Sequence, residues 1–479
     1  MKLKELLTGV RPLRYTADMA QEITGASCSS QKIRPGEVYV AIPGTQTDGM
    51  RYLEQAVSQG ASCVICRDVP LLDVPYVQVR SPRQTLALMA RNYFNDPASH
   101  MTLIGVTGTN GKTTTTYLIR HILETTLCAK VGLMGTIQNV AGQQVTEASR
   151  TTPDAWQMHK MLRDMVDAGC THAVMEVSSH ALALDRVYGL RFAVGVFTNL
   201  TQDHLDFHDC MADYCDTKAL LFSNCDAAVY NADDPWHERM LRAAPTKRLS
   251  YGTESGALQA RDIAITASKT TYTAVTETEC IAVEIPIPGL FTVYNSLAAI
   301  GACCILGVPL RDSAEALRSC SGVKGRMEVV PTPGKNYTVL IDYAHTPDAL
   351  ENVLIAVRSF ACGRIIAVFG CGGDRDRSKR AQMGAIASRY ADLAIITDDN
   401  PRTEDPQKIR ADIIAGVPDT ARWHEVPGRE EAICYALEQA KTDDVIVLCG
   451  KGHETYQEIG HEKRHLDERE IVAEYMKNK

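Results

Sequence analysis

The stretch VTGTNGKTTTT, residues 106–116, constrains the fold of this chain more than any other stretch. It follows the apolar run TLIGV and precedes a helical pattern in which Leu118, Ile119, Ile122 and Leu123 recur on one face. A glycine-rich turn between a strand and a helix is the setting of a phosphate cradle, where backbone N–H groups and the helix N-terminus hold phosphate oxygens. The sequence therefore predicts an α/β sheet with a phosphate loop at a strand end.

The side chains of this loop suit a nucleotide. Lys112 would reach the terminal phosphates, and the Thr113 hydroxyl would bind Mg²⁺. The strict pattern GxxxxGK[ST] fails at one position, because Val106 stands where the first glycine belongs. A glycine-rich turn that binds no phosphate is the alternative, and GKT between a strand and a helix argues against it. The candidate nucleotide-binding residues of the loop are Gly108, Thr109, Asn110, Gly111, Lys112, Thr113 and Thr114.

Strand-like and helical patterns divide the chain into three blocks, which we expect to be three α/β domains. Residues 1–98 predict a small mixed α/β domain. Residues 99–323 predict a central phosphate-loop domain with a mostly parallel sheet, and the Thr-rich alternation of residues 251–288 predicts antiparallel strands within it. Residues 324–479 predict a Rossmann-like open sheet.

The third block ends each of its four predicted strands in a polar loop. These loops read DYAHTPDA, CGGDRDRSKR, DDNPRTEDP and GKGHETY. In an open parallel sheet, ligands bind outside the carboxyl ends of the strands, so the four loops are expected to share one edge and one pocket. DDNPR can be interpreted in two ways. The simpler interpretation is a charged surface turn, and the more specific one is a binding site for a small zwitterion.

The composition excludes several classes of partner. The net charge of −8 gives no reason to expect nucleic acid, and no apolar run approaches the roughly 18 residues of a membrane span. The 16 cysteines follow no framework spacing, which favours a reducing, cytoplasmic compartment. Cys63 and Cys66 lie inside an apolar run, and we expect buried strand thiols rather than a metal or redox site.

Two more residues are candidate metal ligands near the loop. Glu176 ends the predicted strand HAVMEV, and His204 follows the predicted strand AVGVFTNL. Mg²⁺ prefers oxygen ligands, so a histidine ligand would be unusual, and a surface-loop histidine is the simpler interpretation of His204 alone. Lys218 precedes ALLF, and taken alone it is more typical of a helix-surface lysine.

Together, the motifs resemble the Mur ligase family over essentially the whole chain. The resemblance rests on TGTNGKTT, EVSSH, NLTQDHLDFH, the Asn of GLFTVYNSLAA, GRME at 325–328 and DYAHTPDAL. It implies an ATP-dependent amide ligase that activates a carboxylate as an acyl phosphate. DDNPR and GKGHE resemble the subgroup that adds meso-2,6-diaminopimelate, rather than L-lysine, to the D-glutamate of a UDP-linked muramoyl dipeptide.

The resemblance also implies the chemistry around the loop. ATP would be a co-substrate with two Mg²⁺ ions, one near Thr113 and Glu176 and one near His204. Lys218 would be carbamylated by CO₂ to N6-carboxylysine and would become an anionic oxygen ligand. The expected partners are small-molecule substrates, and we expect a monomer.

Further site residues follow from the resemblance position by position. The expected nucleotide contacts are Asn295, Arg326, Asp342 and His345. The expected UDP-precursor contacts are Ser30, Thr151, Thr152, Ser178 and Arg186. The expected diaminopimelate contacts are Arg375, Asp399, Asn400, Pro401, Arg402, Gly450 and Glu454. One departure is that Ser29, Ser30 and Gln31 stand where the family usually shows a DSR-like triplet, which weakens detailed claims about uridine contacts.

Given this resemblance, DDNPR predicts a binding site for a zwitterion. Arg402 would grip the distal carboxylate of diaminopimelate with two-point geometry, while Asp399 and Glu454 are acids available for ammonium groups. The alternatives are the same ligase acting on L-lysine, a folylpolyglutamate-synthetase-like ligase, and a regulatory phosphate-loop NTPase without ligase chemistry. GCGGDRD does not spell GxGxxG, so a Rossmann dehydrogenase is disfavoured.

Overall fold

The computed structural model describes residues 1–44, 47–148, 150–205, 207–320 and 322–477. It divides into two compact units. Unit 1 comprises Met1–Leu258 and Ala298–Ser313, and unit 2 comprises Gln259–Leu297 and Ala314–Lys479. Every helix among the described residues is too short or too polar to cross a lipid bilayer. The expected domain borders at 98/99 and 323/324 stay predictions.

The regular elements alternate along the chain as the sequence predicts. The strands are β1 (Arg14–Tyr15), β2 (Gly25–Ser27), β3 (Glu37–Val40), β4 (Cys63–Cys66), β5 (Tyr76–Gln78), β6 (Thr102–Thr107), β7 (Val131–Met134), β8 (Gln138–Ala141), β9 (Gln144–Glu147), β10 (His172–Glu176), β11 (Phe192–Phe197), β12 (Cys225–Asn231), β13 (Arg248–Gly252), β14 (Leu258–Ile265), β15 (Thr270–Val275), β16 (Cys280–Ile285), β17 (Glu328–Val330), β18 (Thr338–Asp342), β19 (Ile365–Phe369), β20 (Leu393–Ile396), β21 (Trp423–Glu425), β22 (Val445–Cys449), β23 (Tyr456–Ile459) and β24 (Glu462–His465). The helices are α1 (Leu3–Leu6), α2 (Leu53–Ser58), α3 (Pro82–Tyr93), α4 (Lys112–Leu127), α5 (Ala155–Asp167), α6 (Ser179–Ala183), α7 (Met211–Ala219), α8 (His237–Met240), α9 (Leu290–Ile305), α10 (Leu310–Arg318), α11 (Pro347–Arg358), α12 (Ser378–Tyr390), α13 (Pro406–Ile414), α14 (Arg429–Gln439) and α15 (Glu468–Lys477).

The N-terminal sheet of unit 1 has the order β1-β5-β4-β3-β2. Its strands are parallel except for the edge strand β1. Cys63 and Cys66 are buried in β4, and burial raises the pKa of the Cys63 thiol to about 12. The prediction of buried strand thiols at this CxxC is therefore confirmed.

The large sheet of unit 1 has the order β13-β12-β11-β6-β10-β7-β8-β9. The strands from β13 to β7 are parallel, and β8 and β9 add an antiparallel hairpin. Helix α4 follows β6 and buries Leu118, Ile119, Ile122 and Leu123 completely, as the periodicity predicts. Because β10 and β11 flank β6, the residues that follow all three strands meet at the phosphate loop.

Unit 2 contains a six-stranded sheet with the order β17-β18-β22-β19-β20-β21. All neighbours in it are parallel except β17, which pairs antiparallel with β18 at one edge. The Thr-rich segment forms the antiparallel strands β14, β15 and β16, as predicted. Both predictions of strand direction are confirmed, and the four loops of the third block leave the same sheet edge.

A buried ion pair ties two helices of unit 2 to the end of β22. Arg429 begins α14 and Glu468 begins α15, and neither side chain is exposed to solvent. The guanidinium donates to Glu468 Oε1 from Nε at 2.9 Å and from Nη2 at 2.7 Å, and Nη2 also donates to the Cys449 carbonyl at 2.8 Å. The pair thereby anchors the residue that precedes Gly450.

Breaking this pair on one side is expected to be costly. Arg429→Met leaves the Glu468 carboxylate buried without its cation, which should lower the free energy of unfolding by about 3–5 kcal/mol. The double variant Arg429→Met/Glu468→Leu removes both charges and should lose much less. Urea unfolding at neutral pH measures both. If the double variant loses as much as the single one, the pair is not what holds these helices.

Candidate active site

The phosphate loop of unit 1 connects β6 to α4 and depends on two glycines. Gly108 and Gly111 have φ angles of +147° and +84°, a region that other residues rarely adopt. A Cβ atom on Gly108 would also collide with Thr198 Oγ1. The backbone N–H groups of Thr109 and Asn110 donate to Asn199, at 2.8 Å to its carbonyl and 3.0 Å to its side-chain oxygen. The loop is thus fastened to the end of β11.

Two lysines meet at one carbonyl of this loop. Lys112 donates from Nζ to the carbonyls of Gly108 at 2.9 Å and Thr109 at 2.8 Å. Lys218 projects from α7 and donates to the same Gly108 carbonyl at 2.8 Å. The loop therefore gathers two amines where the sequence predicts phosphate chemistry.

Lys218 is not a helix-surface lysine. Its side chain is only 1% exposed, and its Nζ lies 4.5 Å from the centre of the Tyr214 ring. Burial, followed by the positive charge of Lys112, holds the pKa of Lys218 well below the usual lysine value. Burial beside a second amine therefore disfavours the charged form of Lys218.

Glu176 joins the loop from the end of β10. Its buried carboxylate accepts from Thr113 Oγ1 at 3.0 Å, from the Thr136 N–H at 2.8 Å and from Thr136 Oγ1 at 3.0 Å. The sequence analysis missed Thr136, which follows β7, the strand beside β10. Hydroxyl and carboxylate oxygens are the donors that Mg²⁺ prefers, so Thr113 and Glu176 fit the predicted metal.

His204 follows β11 in a strained conformation. Its φ is +53°, its side chain is 45% exposed, and its Nε2 lies 3.4 Å from Asp203 Oδ2. Its ring packs edge-on against His180, with 4.9 Å between the ring centres. Across the described residues, no three His, Cys, Asp or Glu side chains group to hold a metal. The oxygen atoms that meet at the loop are those of Thr113 and Glu176.

Two of the residues predicted to contact the UDP precursor, Ser178 and Arg186, are linked by hydrogen bonds to a third, Thr152. Thr152 Oγ1 donates to the Glu176 carbonyl at 2.8 Å and accepts from the Ser178 N–H at 3.2 Å. Arg186 donates from Nη1 to the Thr152 carbonyl at 2.8 Å. Thr151 Oγ1 lies 3.1 Å from Thr136 Oγ1, which ties this group to the Glu176 carboxylate.

Two further arginines, Arg150 and Arg83, lie near Arg186. Burial lowers the pKa of Arg186, and the nearby charges of Arg150 and Arg83 lower it further, although Asp154 opposes them. The sequence analysis missed Arg83 and Arg150, because they lie far apart in the chain and no motif marks them. Ser30 is buried and donates to Gln55 Oε1 at 2.8 Å.

Three of the predicted nucleotide contacts group in unit 2. Asp342 ends β18 and accepts from the Met327 N–H at 2.8 Å, and burial raises the pKa of its carboxyl. The Arg326 guanidinium lies 5.1 Å from the Tyr343 ring, and His345 Nδ1 lies 2.8 Å from the Tyr343 carbonyl oxygen. Asn295 is buried on α9.

A cavity of about 660 Å³ opens at the sheet edge of unit 2. Its lining comes from all four polar loops, which confirms that DDNPR is one wall of a shared pocket. It includes six of the seven residues predicted to bind an amino acid: Arg375, Asp399, Asn400, Arg402, Gly450 and Glu454. The seventh, Pro401, is buried in the same turn.

Asn400 is the centre of the hydrogen bonds in this wall. Its Nδ2 donates to Glu454 Oε2 at 2.9 Å. Its Oδ1 accepts from Lys451 Nζ at 3.0 Å and from the Glu458 N–H at 2.9 Å. The amide orientation is therefore determined by three neighbours, two of which the sequence analysis did not single out.

Arg402 is held in place before any ligand binds. Its φ is +50°, its Nε donates to Glu458 Oε2 at 2.9 Å, and its Nη1 donates to the Gly373 carbonyl at 2.8 Å. Asp399 Oδ2 is buried and has no hydrogen-bond partner among the described residues. A Cβ atom on Gly450 would lie 2.7 Å from this oxygen, so any larger residue at 450 would collide with it.

The depressed pKa of Lys218 predicts a dependence of stability on pH. Because the unfolded chain binds a proton at Lys218 more readily than the folded one, the free energy of unfolding should rise with pH up to the ordinary lysine pKa. Lys218→Met should lack this rise of the free energy of unfolding with pH. At neutral pH, the variant should be more stable than wild type. Urea unfolding between pH 7 and pH 9.5, without nucleotide, metal or CO₂, measures the difference. Parallel pH curves for the two proteins would contradict it.

Family models and relatives match this chain along its length. The model described as Mur ligase middle domain matches residues 106–303, that of the Mur ligase glutamate ligase domain matches 325–452, and that of the Mur ligase family catalytic domain matches 22–94. The chain is 44% identical over 472 residues to UDP-N-acetylmuramoyl-L-alanyl-D-glutamate--2,6-diaminopimelate ligase of Clostridium botulinum, covering 97% of each protein. It is 46% identical to the ligase of that name from Gloeobacter violaceus, covering 99% of this chain and 98% of the relative.

Solved structures show the same similarity. A structure of UDP-N-acetylmuramoyl-L-alanyl-D-glutamate--2,6-diaminopimelate ligase matches with a TM-score of 0.73 and 32% identity, over 100% of this chain and 99% of that one. The MurF ligase of Thermotoga maritima in complex with ADP matches with a TM-score of 0.60 and 19% identity, over 95% of this chain and 97% of that one. The second likeness concerns the fold alone.

Proposed function

Because this chain belongs to the Mur ligase family, we propose that it is an ATP-dependent amide ligase of peptidoglycan precursor synthesis. It joins meso-2,6-diaminopimelate to the D-glutamate of UDP-N-acetylmuramoyl-L-alanyl-D-glutamate. The observation that carries this proposal is the unit 2 cavity, where cationic and acidic side chains from four loops converge. That cavity suits a small molecule with a carboxylate and an ammonium at the same end.

The reaction begins with the side-chain carboxylate of the D-glutamate. One of its oxygens attacks the γ-phosphorus of ATP, which forms an acyl phosphate and releases ADP. An amine of diaminopimelate then attacks the acyl carbon, the C–O bond to phosphate breaks, and the nitrogen loses a proton as the amide forms. The first step brings two anions together, so positive charge at Lys112 and at the helix N-terminus lowers its barrier.

Thr113 and Glu176 would hold one Mg²⁺, and a second would lie near His204. When bound, the metal neutralises charge on the phosphate oxygens. The neutral amine of Lys218 adds to CO₂ and releases one proton, which gives a carbamate with two hard oxygen donors. A carbamate would let Lys218 lie beside a metal, where an ammonium would repel it.

The amino-acid pocket discriminates by charge. Arg402 Nη2 and Arg375 are donors for the carboxylates of diaminopimelate, and the Asp399 carboxylate suits an ammonium. Glu458 and the Gly373 carbonyl support this role of Arg402, because they already order its guanidinium. L-Lysine lacks the distal carboxylate and would therefore add no ion pair with Arg402 beyond the one that Glu458 already makes.

The remaining contacts belong to the nucleotide and the precursor. Asn295, Arg326, Asp342 and His345 are proposed to bind ATP. Ser30, Thr151, Thr152, Ser178 and Arg186 are proposed to bind the UDP precursor, with Arg83 and Arg150 adding positive charge for its anionic groups. We further propose that the enzyme is a cytoplasmic monomer that acts only on small molecules.

A phosphate-release assay tests the function. Wild-type protein should release phosphate from ATP only when the UDP precursor and diaminopimelate are both present, and mass spectrometry should find the ligated product. Lys112→Ala should stay folded, but its ligation rate should fall on the order of 10²–10³-fold, because one charge that stabilises the transition state is gone. A folylpolyglutamate synthetase would instead require folate and glutamate. Release with ATP alone would indicate a regulatory NTPase.

Arg402 is expected to determine which amino acid the enzyme prefers. Arg402→Ala should raise the KM for diaminopimelate, while the KM values for ATP and the UDP precursor change little. L-Lysine lacks the carboxylate that would accept charge-assisted hydrogen bonds from Arg402, and such bonds are worth about 1.5–3 kcal/mol. At about 1.4 kcal/mol per factor of ten, wild type should therefore prefer diaminopimelate over L-lysine on the order of 10–10²-fold. Arg402→Lys should not restore the site fully. Equal use of both amino acids by wild type would contradict the role.

A further inference from the structure

Lys451 is a buried lysine beside the cavity that the proposed reaction does not use. Its side chain is 0% exposed, so it acts on the cavity only through its neighbours. Its Nζ donates to Asn400 Oδ1 at 3.0 Å and to Glu454 Oε2 at 3.2 Å. Both of those side chains line the cavity. Nζ also lies 5.7 Å from the centre of the Tyr456 ring.

These contacts determine what the wall presents to a ligand. Because Asn400 Oδ1 faces two donors, its Nδ2 must face Glu454. Glu454 Oε2 in turn accepts from both Asn400 and Lys451. Glu454 is one of the two acids expected to bind ammonium groups, and its negative charge is therefore already paired with Lys451.

The other acid is in the opposite situation. Asp399 lines the same cavity; its Oδ1 accepts from the Asn400 N–H at 2.7 Å, and its Oδ2 has no hydrogen-bond partner among the described residues. The wall thus has one carboxylate oxygen without a hydrogen bond, on Asp399, and one carboxylate that already pairs with a lysine, on Glu454. A ligand with one excess positive charge gains less in such a site than it would beside two uncompensated acids.

We propose that Lys451 is a positioning residue that sets amino-acid specificity by cancelling the charge of Glu454 and orienting Asn400. This inference rests on the proposed function. Diaminopimelate has two carboxylates and two amines and carries no net charge, whereas L-lysine carries one positive charge. Lys451 therefore disfavours the net-cationic competitor while it leaves Asp399 for the ammonium of diaminopimelate.

Neutral substitutions separate this role from packing. Lys451→Gln loses the charge but can still donate to Asn400 and Glu454, and Lys451→Met loses both. Lys451→Arg keeps the charge. Lys463→Gln is the matched control, because Lys463 is exposed on β24 and its Nζ lies 3.9 Å from the centre of the same Tyr456 ring.

The experiment measures the KM for diaminopimelate and the inhibition constant of L-lysine against it, in the phosphate-release assay. In Lys451→Gln and Lys451→Met, the ratio of this KM to the L-lysine constant should rise about tenfold or more, while the KM values for ATP and the UDP precursor stay within twofold. Lys451→Arg and Lys463→Gln should keep the wild-type ratio. Circular dichroism and thermal melts check the fold of each variant.

Two results separate the inference from the function it rests on. If wild type ligates diaminopimelate but the ratio in folded Lys451→Gln stays within twofold of wild type, Lys451 only fills space and the inference is wrong. If Lys451→Arg shifts the ratio as far as the neutral variants, shape rather than charge matters, and the inference is equally wrong. If wild type shows no ligation of diaminopimelate, the proposed function itself fails.

Discussion

Parallel pairing of strands is the constraint on which both candidate sites depend. Neighbouring parallel strands place their carboxyl ends at the same edge, so the residues that follow them come together whatever their separation in the chain. In unit 1, this brings Glu176 and Thr136 to the loop that carries Thr113. In unit 2, it brings four polar loops to one cavity. In each site, the strand order brings the residues together, and the side chains then determine what the site can bind.

Charge inside these sites is mostly compensated by the protein itself. Glu458 holds Arg402 and Lys451 holds Glu454, so the cavity is organised by internal pairs. A buried pair contributes little net stability, because desolvation of both charges offsets their attraction. Such pairs do hold donors and acceptors in one orientation, which reduces the ordering cost when a ligand binds. Lys218 differs from these pairs. Burial and the like charge of Lys112 lower its pKa and so favour its neutral form.

Local patterns predicted the elements that carry the sites. The strand, glycine loop and helix around Lys112 could be read directly, because each has a period or a turn chemistry of its own. The shared edge of the four loops in unit 2 followed from the alternation of strands and helices. Thr136 was missed because its role comes from strand order, and β7 lies beside β10 only in the folded sheet.

The sequence by itself determined the strands and helix around the phosphate loop, the mostly parallel sheets, the antiparallel Thr-rich segment, the family and six residues that line the cavity. Only the tertiary structure decided which charges are paired. Arg402 and Glu458 are separated by 56 residues and lie 2.9 Å apart. Asn400 and Lys451 are separated by 51 residues and lie 3.0 Å apart. The physical reason is that a charge interacts according to its distance and burial, and neither quantity is written in the order of residues along the chain.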